Sequence, residues 1–126
     1  MKKTINAPKA PAAVGPYVHA VEVNGLIFTS GQLGLIPESG ALPEGVEAQT
    51  HQSLKNLATV LEAAGSDLGH VVKTSVFLDD INDFAKVNEV YAQYFQGETP
   101  ARSCVQVAKL PKGGLVEIEV VAVKKD

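Results

Sequence analysis

Ala101-Arg102-Ser103-Cys104-Val105-Gln106-Val107 is followed, after the break Leu110-Pro111-Lys112-Gly113-Gly114, by Val116-Glu117-Ile118-Glu119-Val120-Val121-Ala122-Val123-Lys124. Both runs are β-prone. Period-two alternation collects Val105, Val107, Ile118 and Val120 into one apolar set. The other set is Arg102, Cys104, Gln106, Glu117 and Glu119, continued by Val121 and Val123. Pairing the two strands with their apolar positions on one face puts Arg102, Cys104 and Glu117 together on the other. A face half ionic and half aliphatic has the pattern of a subunit interface with a polar site embedded in it.

Upstream, Val18–Val23 alternates apolar and polar positions, and Asn24-Gly25 turns the chain into Leu26-Ile27-Phe28-Thr29-Ser30. Two β-prone runs joined by Asn-Gly predict a hairpin. From Val46 to Ala64 the period changes: Thr50, Leu54, Leu57, Ala58, Leu61 and Ala64 form one helical stripe, stopped by Gly65. A β-branched run covers Val71–Leu78. Asn82 or Asp83 is placed to cap a second helix carrying Phe84, Val87, Val90 (or Tyr91) and Tyr94, ending near Gly97. The order is ββ(β)αβαββ. Two helices cover one face of a single sheet, and the other face must meet water or another chain.

With 126 residues, 45% of them apolar and 20% charged, the chain reads as one globular domain spanning 1–126. Eleven basic against fourteen acidic side chains give a net charge of −3. That argues against a nucleic-acid or anionic-membrane partner, which calls for a cationic surface. The start Met1-Lys2-Lys3 leads into polar, proline-broken sequence without the apolar run of a signal peptide, and no stretch is apolar enough to span a bilayer. A single cysteine, Cys104, excludes an internal disulfide and suits a reducing cytoplasm.

Arg102 suits a substrate carboxylate, through two parallel hydrogen bonds, although its spacing alone favours an exposed strand arginine paired with a neighbouring glutamate. Glu117 and Glu119 are either solvated strand carboxylates or a partly desolvated proton carrier. No Cys–His signature surrounds Cys104, which reads as a buried structural thiol. His19, His51 and His70 fall on different elements without metal-ligand spacing, so no metal is expected. Gly31, in Ser30-Gly31-Gln32, is a turn glycine or a point of close backbone approach.

Six ordered segments carry a resemblance: Gly15-Pro16-Tyr17, Thr29-Ser30-Gly31-Gln32, Val72–Leu78, Phe84-Ala85-Lys86-Val87-Asn88, Pro100-Ala101-Arg102-Ser103-Cys104-Val105 and Val116-Glu117-Ile118-Glu119. Together they resemble the reactive intermediate deaminase A (RidA/YjgF) family nearly end to end. The resemblance implies a chorismate-mutase-like α+β fold, a single mixed sheet with two helices on one face, assembled as a homotrimer with sites between subunits. It implies hydrolysis of 2-imino and enamine acids, such as 2-iminobutanoate and 2-iminopropanoate, to 2-oxo acids and ammonia without a cofactor. Position by position, Arg102 matches the carboxylate-binding arginine and Glu117 the water-positioning carboxylate. Tyr17, Ser30, Gly31, Asn88 and Cys104 match pocket-lining positions. At Gly34 a proline is more usual. The competing reading is a non-catalytic trimer that senses 2-oxo acids, which would need Arg102 but not obviously Glu117. RNA cleavage, also attached to the family, meets an acidic chain with no Trp.

Overall fold

The computed structural model describes residues 1–126. Strands β1 (Lys3–Ile5), β2 (Ala20–Val23), β3 (Leu26–Thr29) and β4 (Gln32–Leu33) precede helix α1 (Val46–Ala63). Then come β5 (Val71–Leu78), α2 (Phe84–Tyr94), β6 (Ala101–Gln106) and β7 (Val116–Val123). The Asn-Gly hairpin is present, with both turn residues at positive φ. The strands form one sheet in the order β1-β2-β3-β7-β5-β6, with β4 also pairing β7. β5 and β6 run parallel and the other pairs antiparallel, so the sheet is mixed as expected.

The structure adds to the sequence reading at two points and overturns it at a third. Lys3–Ile5 is a strand, held by pairing with Glu22, Val21 and Ala20; a three-residue edge strand has too little alternation to be read in advance. Asp83 stands at the N-cap of α2, one of the two residues expected there, but its side chain makes no capping bond. Asp80 caps the single turn Ile81–Asp83 before it, its carboxylate accepting from Asn82 N–H at 2.9 Å, and the helix ends at Tyr94, shortly before Gly97. Most important, β6 and β7 are not neighbours. β5 lies between them, pairing Thr74 with both Arg102 and Val120. Opposed residues on adjacent strands point to the same face. Thr74 and Val120 are buried against the helices, so Arg102 faces the helices too, and Cys104 follows it opposite buried Val76. Glu117 pairs with Phe77, and Phe77 with Val105, on the opposite, open face.

Both helices cover one face. Leu54, Leu57, Val60 and Leu61 of α1 meet Val87, Val90 and Tyr91 of α2 in a core that includes Ile27, Val76, Leu78, Ile118 and Val120. Full burial of each large aliphatic side chain contributes about 1.5–3 kcal/mol. One flank of α1 is polar yet buried. Ser53 Oγ donates to Gln32 O at 2.7 Å, and Asn56 Nδ2 donates to Leu33 O at 3.1 Å and Leu35 O at 2.9 Å. Leu115 N–H donates to Gln49 Oε1 at 2.9 Å, tying the start of β7 to the same helix. These bonds hold the 32–35 backbone against α1, and at Gly34 a Cβ would stand 2.3 Å from Gln49 O. Glycine therefore belongs here, and a proline, which carries a Cβ, would need the strand to withdraw from the helix.

The open face carries no helix. Val21, Phe28 and Val121 are laterally paired across it, and Phe28 and Val105 are 43% and 46% exposed.

Candidate active site

Arg102 lies on the edge strand β6 with its guanidinium above two rings of α2, 4.8 Å from the Tyr91 centroid and 5.4 Å from that of Phe84. Its Nη1 donates to Asn88 Oδ1 at 2.8 Å. Phe84, Asn88 and Tyr91 are spaced i, i+4, i+7 along the helix, which stacks them on one side as a bed for the cation. Tyr91 is itself fixed by a 2.8 Å bond between its hydroxyl and that of buried Thr74. No carboxylate pairs with Arg102. The exposed-strand alternative, pairing with a neighbouring glutamate, is not what the structure contains. A cavity of about 330 Å³ opens beside it, lined by Asn88, Tyr91, Phe95, Thr99 and Arg102. Cys104 is half-buried on the same side; burial pushes its thiol up, with Arg102 acting in the opposite direction.

Glu117 occupies a second, smaller cavity of about 100 Å³, with Tyr17, Gly31, Leu33 and Lys112 in its wall. Burial raises the carboxyl above its ordinary value, and the charge of Glu119 raises it further. It forms no ion pair. Gly31 is a point of close approach: a Cβ there would stand 2.8 Å from Glu117 Cδ and 2.9 Å from Oε2. The missing side chain gives the carboxylate its room. Ser30 Oγ donates to Val18 O at 2.7 Å, which fixes the backbone on either side of the hairpin. Val14 N–H donates to the Tyr17 hydroxyl at 3.4 Å, folding residues 14–17 on themselves.

The residues singled out from the sequence thus form two groups. Arg102, Asn88 and Cys104 gather on the helix side at the sheet edge; Tyr17, Gly31 and Glu117 gather at the Glu117 cavity. The expectation that Arg102, Cys104 and Glu117 share one face is overturned, because the intervening β5 shifts β6 by one residue in phase relative to the assumed pairing. Phe84 and Tyr91 read in the sequence as core stripe, and only their i, i+4, i+7 spacing around Asn88 hints at a cation bed.

A family model described as endoribonuclease L-PSP matches residues 7–124. The chain is 55% identical over 98% of its length to a mouse protein named 2-iminobutanoate/2-iminopropanoate deaminase, covering 93% of that relative. It is 49% identical to a Salmonella typhimurium protein of the same name, over 99% of this chain and all of the relative. The chain belongs to the RidA/YjgF family. Its fold superposes on RidA from the Antarctic bacterium Psychrobacter with a TM-score of 0.93 at 50% identity, covering 96% and 98% of the two chains. Escherichia coli TdcF, solved with bound serine, matches with a TM-score of 0.93 at 46% identity, covering 98% and 99%. This family assignment and the sheet with two helices on one face agree with the reading of the six segments. No helix is long and apolar enough to cross a membrane.

Proposed function

We propose that residues 1–126 act as one domain of a homotrimeric hydrolase that converts 2-imino and enamine acids, such as 2-iminobutanoate and 2-iminopropanoate, to 2-oxo acids and ammonia. The observation that carries the proposal is the pair of charges that form no ion pair: a guanidinium at a sheet edge and a carboxylate in a small cavity. They stand on opposite faces of one chain, so a single site needs Arg102 from one copy and Glu117 from the next. A second and third copy would also cover the apolar open face. The names of the mouse and Salmonella relatives support the reaction, and the serine bound to TdcF supports a small carboxylate ligand.

Arg102 anchors the substrate carboxylate through two N–H groups while Asn88 and the two rings hold the fork in place. The protonated imine carbon is already electrophilic. Glu117 accepts a proton as the water oxygen adds to that carbon, giving a neutral carbinolamine. It returns the proton to the nitrogen, ammonia leaves as the C=O bond forms, and the last proton goes to the departing ammonia as ammonium. A carboxyl raised by burial is suited to both accepting and returning a proton. The scheme uses no metal or cofactor. Cys104, with its thiol raised, has no covalent role in it and fits a reducing cytoplasm. The open face sets Glu117 and Glu119 on the same side as Lys73, and the chain carries a net charge of −3, a poor basis for binding phosphate.

The test couples an amino-acid oxidase or threonine dehydratase, which generates imine, to semicarbazide as competing trap. Added protein should suppress semicarbazone formation in proportion to its concentration; unchanged trapping would reject the activity. Light scattering should give a mass near three copies of the 13.3 kDa chain.

A further inference from the structure

His19 lies immediately before β2 and is 5% exposed. Its Nε2 lies 2.7 Å from Pro11 O, and its Nδ1 lies 2.9 Å from Ala7 N. A carbonyl oxygen only accepts and a peptide N–H only donates. The ring is therefore neutral, with the proton on Nε2 and Nδ1 bare. The other hydrogen bonds within residues 7–17 are local: Ala10 N–H to Ala7 O, Tyr17 N–H to Gly15 O, and Val14 N–H to the Tyr17 hydroxyl. The two ring bonds are what tie this segment, polar group to polar group, to the body of the protein. On the far side, Ser30 N–H donates to His19 O at 2.9 Å, so the same residue is fixed to the end of the hairpin beside Gly31. Pro11, Val14 and Tyr17 of the pinned segment then form a wall of the cavity that holds Glu117.

We infer that His19 is a positioning residue: it acts through residues 7–17, setting the wall of the Glu117 cavity and with it the fit of the substrate. The kinetic half of this inference rests on the deaminase reading above; the structural half does not. The imidazole is itself part of that lining, but both of its ring nitrogens are taken up by main-chain groups of Ala7 and Pro11 and none is left for the reacting atoms, so its removal should weaken binding more than turnover. A side chain that can both accept and donate should restore much of the effect, and one that can do neither should not.

The test compares His19→Ala and His19→Gln with the parent protein, using amide hydrogen exchange at Ala7 and steady-state kinetics on 2-iminobutanoate generated in situ. For His19→Ala, loss of two buried hydrogen bonds predicts exchange at Ala7 faster by about tenfold or more, KM raised about three- to thirtyfold and kcat within about threefold. His19→Gln, whose amide offers one acceptor and one donor, should recover part of both. Faster exchange with an unchanged KM, a changed KM with unchanged exchange, or no change in either overturns the inference. Should His19→Ala fail to fold, His19→Gln decides alone: protection and KM moving together support the role, and either moving without the other rejects it. If the parent protein shows no turnover, the deaminase reading fails instead. The wall is then scored by NMR titration with 2-oxobutanoate, whose affinity should fall in step with protection at Ala7.

Discussion

The cation and the carboxylate of this protein are treated in opposite ways. Arg102 is held on a neutral acceptor and two aromatic faces, so its geometry is fixed without a counter-charge. Glu117 is crowded into a small cavity beside a glycine, next to a second carboxylate, with its proton affinity raised. The first arrangement favours binding an anion in one orientation. The second favours moving a proton. Each half lacks what the other holds, and the sheet keeps them on separate faces. A fold that simply stabilised its charges would have let them pair.

The largest effects should come from removing either half. Glu117→Gln is nearly isosteric but cannot carry the proton, and kcat/KM should fall by about 10²–10⁴-fold. Arg102→Lys keeps the charge but loses the fork, and should cost about tenfold to a thousandfold. Mixing the two variants breaks or confirms the division between copies. If the variants are unfolded and refolded together, each site needs a native Arg102 from one chain and a native Glu117 from the next. Random assembly then restores about a quarter of wild-type activity. No recovery in reassembled, folded protein would mean that both groups act within one chain.

A smaller loss is expected at Gly31→Ala. The new Cβ falls within 3 Å of the Glu117 carboxyl, whose flexible end must move aside while the backbone stays in place. Turnover should drop about ten- to a hundredfold, since displacing a catalytic group by an ångström costs up to about that much, with circular dichroism unchanged. Wild-type rates in Gly31→Ala would show that the carboxylate need not sit where the glycine leaves room for it.

The same crowding has a thermodynamic signature. A carboxyl whose native proton affinity is raised above the ordinary value of 4.5 binds its proton more tightly in the folded than in the unfolded state. The stability it contributes is present below the unfolded value and is lost as pH rises through the native one. Glu117→Gln should therefore match the wild-type Tm near pH 4 and exceed it modestly at pH 7. The opposite sign at pH 7 would indicate that Arg102 of a neighbouring copy already pairs with Glu117 before substrate arrives.

How much of this was legible in the sequence depends on the range of the interaction. The hairpin, Val71–Leu78 and the first helix follow from local patterns, and their observed limits lie within two residues of those read. Arg102 and Glu117 were identified by motif, but their sides of the sheet were not. That depended on β5 entering between β6 and β7, a long-range pairing that two alternating strands cannot announce. The polar flank of α1 was equally hidden. Gln49, Ser53 and Asn56 lie outside the apolar stripe of α1, and their partners are backbone groups of residues brought near by the fold. His19 looked like one of three scattered histidines because both of its partners are main-chain atoms.

The smallest effect is expected at Cys104, and it tests whether the Arg102 side contributes chemistry or only binding. Cys104 lies two residues along β6 from Arg102, on the same face, and packs against the core. A nucleophilic thiol needs a lowered proton affinity, from a cation or a base close by. Here burial outweighs the nearby guanidinium and leaves the thiol raised. Cys104→Ala should therefore keep turnover within about threefold of wild type, with a loss of stability of ~1 kcal/mol from the vacated volume. Glu119→Gln is its counterpart on the open face, sharing the strand with Glu117 but outside the cavity wall, and it too should retain most activity. Both are read in the same semicarbazide competition. An inactive, folded Cys104→Ala beside an active Glu117→Gln would move the chemistry from the open face to the helix side and make the thiol a covalent catalyst. Equal losses at Glu117 and Glu119 would reduce the open face to a matter of charge and assembly.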